Sequence, residues 1–125
     1  MLDRWLVLFY NEVMFKEDPF YEEYAAICKT IVSPSRLRII EAIGDQKLNV
    51  SEIQAQLELS MSNLSNHLSA LHRVGVLGRE KQGNFIYYFL TEPGILEVLK
   101  KMRSVIHSIT SKRNQMMIQS NLMAG

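Results

Sequence analysis

Apolar residues recur every three to four positions near the amino end: Leu2, Trp5, Leu6, Phe9 and Val13 share one face, with Arg4 and Asn11 opposite. This spacing predicts an amphipathic helix over residues 2–16, ended by Asp18-Pro19. Tyr24, Ile27, Cys28 and Ile31 mark a second helical stripe, read as core-facing. Ser33-Pro34 opens a third helix, with Ser33 as its N-cap, Pro34 in the first turn, Leu37, Ile40 and Ile43 facing inward, and Gly44 at its end. Asn49-Val50-Ser51-Glu52 has the spacing of a capping box ahead of a short helix that turns Ile53 and Leu57 inward. Ser60 caps the next helix, which runs to about Val74 before Gly75. So short a connection between two helices is that of a helix-turn-helix. The period then changes. Segments 76–81 and 85–90, the second rich in Phe, Ile and Tyr, flank Gln82-Gly83-Asn84, where glycine tolerates positive φ; this predicts a β-hairpin. Beyond Glu92-Pro93, Ile95, Val98, Leu99, Met102 and Ile106 return to helical spacing, and the chain is expected to fray into a polar, methionine-bearing tail.

The pattern gives a mainly α (α+β) fold: a winged helix-turn-helix over 33–90, N-terminal helices over 1–32, and a C-terminal helix with its tail over 91–125. With 125 residues, 47% of them hydrophobic, the chain suits a single domain with a modest core. The apolar stripes of 2–16 and 95–106 exceed what so small a winged helix buries for itself, and are read as the surfaces of a homodimer. Charge refines this picture. The formal net charge of +1 hides a gradient: residues 1–32 carry three basic side chains against six acidic ones, residues 33–90 six against five, and residues 91–125 five against two. No strongly basic coat is present, so any contact with DNA depends on where charges are placed. One cysteine, Cys28, supplies neither an intrachain disulfide nor a multi-thiolate metal cage, which points to a reducing, cytoplasmic setting. The apolar tract Trp5–Tyr10 is too short for a membrane span and lacks a cleavage site, so no membrane association is expected. Neither a phosphate loop nor an interpretable pair of catalytic carboxylates, nor a Cys–His arrangement, argues for an enzyme.

The helix after Ser60 carries the functional signal. Leu64, Leu68 and Leu71 cluster within about 60° of one another on a helical wheel, with Met61 at the margin. Opposite lie Ser62, Asn63, Asn66, Ser69, Ala70 and Arg73, a face without a carboxylate. Asn can pair bidentately with adenine, Ser can reach bases or phosphates, and the lack of Asp and Glu removes repulsion from the DNA backbone. Ser and Asn are mediocre helix formers, so simple solvation is a weaker account of this face than a major groove. Arg79 and Lys81 lead into the hairpin tip, where they are placed to follow phosphates, and Ser60 with its helix N-terminus adds backbone N–H groups for one more.

Ser33-Pro34-Ser35-Arg36-Leu37-Arg38-Ile39-Ile40, then Leu59 to Leu71 with its serine–x–histidine–leucine core, Gly75-Val76-Leu77 and Ile86-Tyr87-Tyr88-Phe89-Leu90 together resemble the ArsR/SmtB family of winged-helix repressors. The resemblance spans about half the chain. It implies a dimeric repressor that binds inverted-repeat operator DNA and leaves it when an inducer binds, with Ser62, Asn63, Ser65 and Asn66 facing bases and Arg79 and Lys81 on the wing. The family's metal sites are not matched. Where it places thiolates, this chain has Leu48-Asn49-Val50-Ser51-Glu52, and the second site falls on Glu92, Gly94, Val105 and Ser108, too few ligands for Zn²⁺. No cofactor or metal is therefore expected, and no inducer is identified. His107 reads as a surface residue, His72 likewise, and His67 as structural or phosphate-facing. Cys28 reads as a buried small hydrophobe, with a thiol sensor joining two subunits as the sharper alternative. The rival to a DNA-binding regulator is a protein-interaction module that keeps the winged-helix shape.

Overall fold

A computed structural model of the chain describes residues 2–9 and 19–124. Its elements are α1 (Leu2–Phe9), α2 (Phe20–Ile31), α3 (Pro34–Ile43), β1 (Leu48–Asn49), α4 (Val50–Gln56), α5 (Met61–Arg73), β2 (Leu77–Gln82), β3 (Phe85–Leu90) and α6 (Gly94–Ala124). The expected continuation of the first helix to residue 16, with Val13 and the Asp18 break, lies outside the described residues.

Local chemistry sets the helix starts. Ser33 accepts a hydrogen bond from the Arg36 backbone N–H and places Pro34 where a missing N–H costs nothing. Asn49 and Glu52 close both halves of a capping box, at 2.8 and 3.1 Å. Ser60 accepts from the Asn63 N–H. The Ser33, Asn49 and Ser60 caps thus stand where the sequence pattern placed them. At the hairpin tip Gly83 has φ 62°, a left-handed conformation that side chains with a Cβ rarely adopt.

Helices α3, α4 and α5 and the hairpin close over one core of Ile39, Ile40, Ile43, Leu48, Ile53, Leu64, Leu68, Leu71, Val76, Leu77, Tyr88 and Leu90. Each fully buried Ile or Leu contributes roughly 2 kcal/mol relative to leaving it in water, and the six from α3, α4 and α5 other than Ile39, together with Ile39, pin the two helices of the turn to one another. The hairpin pairs Leu77 with Leu90 and Gln82 with Phe85, and β1 adds to the far side of β3 through Leu48–Tyr88 and Asn49–Tyr87, giving the antiparallel order β1-β3-β2.

Several expectations need correction. Ile39 is buried in place of Leu37, which is half-buried and turned toward Leu99, Met102 and Ile106 of α6. Leu57, just past the end of α4 at Gln56, packs against the core as expected but is only half-buried. Cys28 is exposed: α2 turns Ile27 and Ile31 to the core, and the next residue along the helix points about 100° away from Ile27. His72 is not a plain surface residue, since its Nδ1–H donates to the Leu77 carbonyl at 3.0 Å and ties α5 to β2. The tail does not fray. α6 runs for 31 residues to Ala124, over Lys, Arg, Gln, Met and Ala and without Pro or further Gly. No residue of α6 is buried within the subunit, and no described helix is long and apolar enough to cross a membrane.

Candidate nucleic-acid interface

Leu64, Leu68 and Leu71 anchor α5 in the core at full burial, which turns the opposite face to solvent. Ser62, Asn63, Ser65, Asn66, Ser69 and Arg73 are all exposed. Among the described residues the side chains of Asn63, Ser65 and Asn66 have no hydrogen-bond partner within the chain, so their donors and acceptors are open to a ligand. Ser60 differs. Its hydroxyl oxygen already accepts from the Asn63 N–H at 3.2 Å and lies 3.5 Å from the Ser62 hydroxyl, so it serves the helix cap first. The N–H groups of Met61 and Ser62, ahead of the first capped donor, remain at the positive end of the helix dipole.

Arg79 and Lys81 alternate with Glu80 along β2 and share the strand face that carries Leu77 into the core; both are exposed. Glu80 projects to the other face. There Lys47 binds it at 2.9 Å and Gln82 donates to the same oxygen at 2.7 Å, and these bonds hold its carboxyl below the usual carboxylate range. The single acid of the wing strand is thereby paired from behind. Lys47 also sits 5.2 Å from the centre of the Phe89 ring, and that ring covers Gly78, where a Cβ would fall 2.4 Å from its tip. Sequence reasoning did not find Lys47, because its partners lie on strands reached only through the fold.

His67 lies half-buried at the edge of the exposed face of α5. Arg36 Nε donates to its Nδ1 at 3.1 Å and Arg36 Nη1 donates to the Thr30 carbonyl at 2.9 Å. Burial first, and then the guanidinium charge, push His67 below the ordinary histidine value, so it is neutral near pH 7 and acts as an acceptor. Of the two roles expected for it, the structural one matches this geometry. Among the described residues no group of three or more His, Cys, Asp or Glu side chains is gathered to hold a metal ion.

Residues 33–77 match the family described as bacterial regulatory protein, arsR family. The HTH-type transcriptional regulator Rv0081 of Mycobacterium tuberculosis is 33% identical over 99 residues, which are 78% of this chain and 87% of that one. Its crystal structure superimposes with a TM-score of 0.69, covering 78% of this chain and 98% of that chain. The transcriptional repressor PagR of Bacillus anthracis is 35% identical over 67% of this chain and 85% of its own. The transcriptional activator HlyU of Vibrio cholerae is 32% identical over 71% and 79%. The β-hairpin, the capped helix α5 beside it and the sequence likeness thus agree, and the chain belongs to the arsR family of bacterial regulatory proteins, as a winged-helix DNA-binding transcriptional regulator and not an enzyme.

Proposed function

We propose that the protein is a homodimeric, sequence-specific repressor that binds an inverted-repeat operator through α5 and the wing of each subunit. Asn63 and Asn66 read base edges, Ser62 and Ser65 add shorter contacts, and Arg79, Lys81 and the Ser60-capped end of α5 hold phosphates. The observation that carries this reading is the exposed face of α5: it has no carboxylate, and the amides of Asn63 and Asn66 are left without partners inside the described chain. Dimerisation is supported by α6, whose apolar residues Val98, Met102, Ile106, Ile109 and Met116 stay 49–70% exposed in the subunit. A soluble chain rarely leaves so long an apolar stripe uncovered. Repression is the outcome in the named relative PagR and activation in HlyU; a protein seated in the groove over promoter DNA acts first by excluding other proteins, which favours repression. No inducer is assigned.

Selection of bound duplexes from a random pool tests the reading. The expected product is an inverted repeat with half-sites about one helical turn, ~34 Å, apart, and a promoter carrying it is expected to be silenced by the protein. Recovery of no preferred sequence would favour a protein-interaction module instead. An enriched site that raises transcription would make the protein an activator.

A further inference from the structure

A single guanidinium joins three helices. Arg36 stands in the first turn of α3, where its own N–H is held by the Ser33 hydroxyl. Its side chain reaches α2 by donating to the Thr30 carbonyl, and reaches α5 by donating to His67. Thr30 lies in the last turn of α2, where carbonyls lack helical partners and carry the negative end of the helix dipole. Among the described residues no other side-chain hydrogen bond links α2 to α5.

The chemistry of this junction has one direction. A guanidinium has only donors and keeps its charge at any physiological pH. His67 Nδ1 must therefore offer its lone pair, and the ring proton resides on Nε2. When Nδ1 takes up a proton, an N–H faces an N–H and two positive groups meet at the 3.1 Å that the hydrogen bond now spans. Among the elements packed against α5, namely α2, α3, α4 and β2, Arg36 is the one charged group among the described residues whose field registers on His67; α2 contributes the Thr30 carbonyl to Arg36 rather than a charge to the ring.

We propose that Arg36 is a positioning residue for the DNA-reading helix, locking α5 to the end of α2 through His67, and that the lock opens when His67 is protonated, so that operator binding weakens on mild acidification. This rests on α5 being the element that enters the groove. The sign follows from linkage: the closed arrangement disfavours protonated His67, so its stability is complete above the ordinary histidine value and is lost as pH falls below that value through the lower one of the folded chain. The direction is opposite to the usual effect of acid on a DNA-binding surface, where added positive charge tightens phosphate contacts.

Binding of the selected operator and of an unrelated duplex, measured by fluorescence anisotropy at fixed salt between about pH 7.5 and about pH 5.5, tests the lock. Operator affinity of the unsubstituted protein should fall several-fold over this range, while the unrelated duplex shows no such loss. His67→Asn offers an acceptor that does not titrate, and its profile should be flat whatever its level at the upper pH. Arg36→Lys keeps the charge without the two-pronged donor and should not restore the binding lost in Arg36→Gln. Nitrogen NMR of the His67 ring gives a readout that needs neither DNA nor a variant: the Nε2–H tautomer is expected near neutral pH. Operator affinity that holds or rises on acidification, a His67→Asn profile as steep as the unsubstituted one, or an Nδ1–H tautomer would each overturn the lock. Absence of any operator preference at the upper pH would instead refute the DNA-reading role of α5, leaving the NMR result to judge the junction alone.

Discussion

Asn63 and Asn66 face solvent from a helix whose opposite side is locked in the core, so replacing them tests the proposed base contacts without opening a cavity. Asn63→Ala and Asn66→Ala should each weaken operator binding by about 1–3 kcal/mol per lost base pairing and leave binding to unrelated DNA nearly unchanged. Competition binding against a scrambled duplex checks this, and equal losses on both duplexes would assign them to the backbone. Arg79 and Lys81 predict the opposite pattern. Arg79→Ala and Lys81→Ala should lower affinity on every sequence and reduce the salt slope by about one unit each, since counterions leave the DNA for every phosphate neutralised. A slope unchanged in both variants would take the wing off the DNA.

At the scale of the element, the turn between α4 and α5 depends on its caps. The Asn49 cap satisfies the Glu52 N–H, and Glu52 returns the favour to Asn49, at the point where β1 becomes α4. Asn49→Ala should therefore cost about 1 kcal/mol of stability, read as a lower midpoint in urea unfolding with an unchanged slope. Asn49→Asp keeps the acceptor and should recover most of that loss. The wing is braced in a different way, by the 2.9 Å bridge from Lys47, just ahead of β1, to Glu80 of β2. Both partners are largely solvated, so the bridge adds little to stability; its consequence is the orientation of Glu80 away from the strand face shared by Arg79 and Lys81.

At the scale of the whole molecule, α6 extends over 31 residues, roughly 46 Å, with apolar side chains spaced every three or four positions from Ile95 to Ile109 and, after the polar stretch 110–115, again from Met116 to Met123. A second copy of this stripe is the natural cover for it. Ile109→Glu should convert the dimer to monomers in sedimentation at micromolar concentration, and deletion of residues 1–16 should yield monomers or aggregates if the first helix shares that surface. A soluble dimer after the deletion would leave α6 as the sole interface. The switch is a separate matter. Stoichiometric zinc, cadmium or arsenite should not release operator DNA, because neither family metal position retains enough ligands. Cys28→Ser should change neither that result nor the response to mild oxidant, and with Cys28 exposed it should cost little stability. Release of the unsubstituted protein by metal or oxidant, with the Cys28→Ser complex intact, would establish the thiol as the sensor.

Sequence alone determined the features whose causes act within one turn of the chain. A cap needs an acceptor and an N–H three residues on, so Ser33, Asn49 and Ser60 were legible as helix starts; a positive-φ tip needs a glycine, so Gly83 was legible as the hairpin. The exposed face of α5 followed from the leucine stripe behind it. Tertiary structure decided what depends on partners far along the chain. Strand β1 has two residues, too few for any alternation to show, and exists because β3 offers it an edge. The swap of Ile39 for Leu37 depends on which side of α3 meets α5 rather than α6, and the exposure of Cys28 on how far α2 is rolled against the core. Arg36 and His67 are 31 residues apart, and each alone is an ordinary polar residue on a helix. A hydrogen bond between them has no local cause: it forms because hydrophobic burial of Ile40, Leu64 and Leu68 brings α3 and α5 together and leaves donor and acceptor within reach.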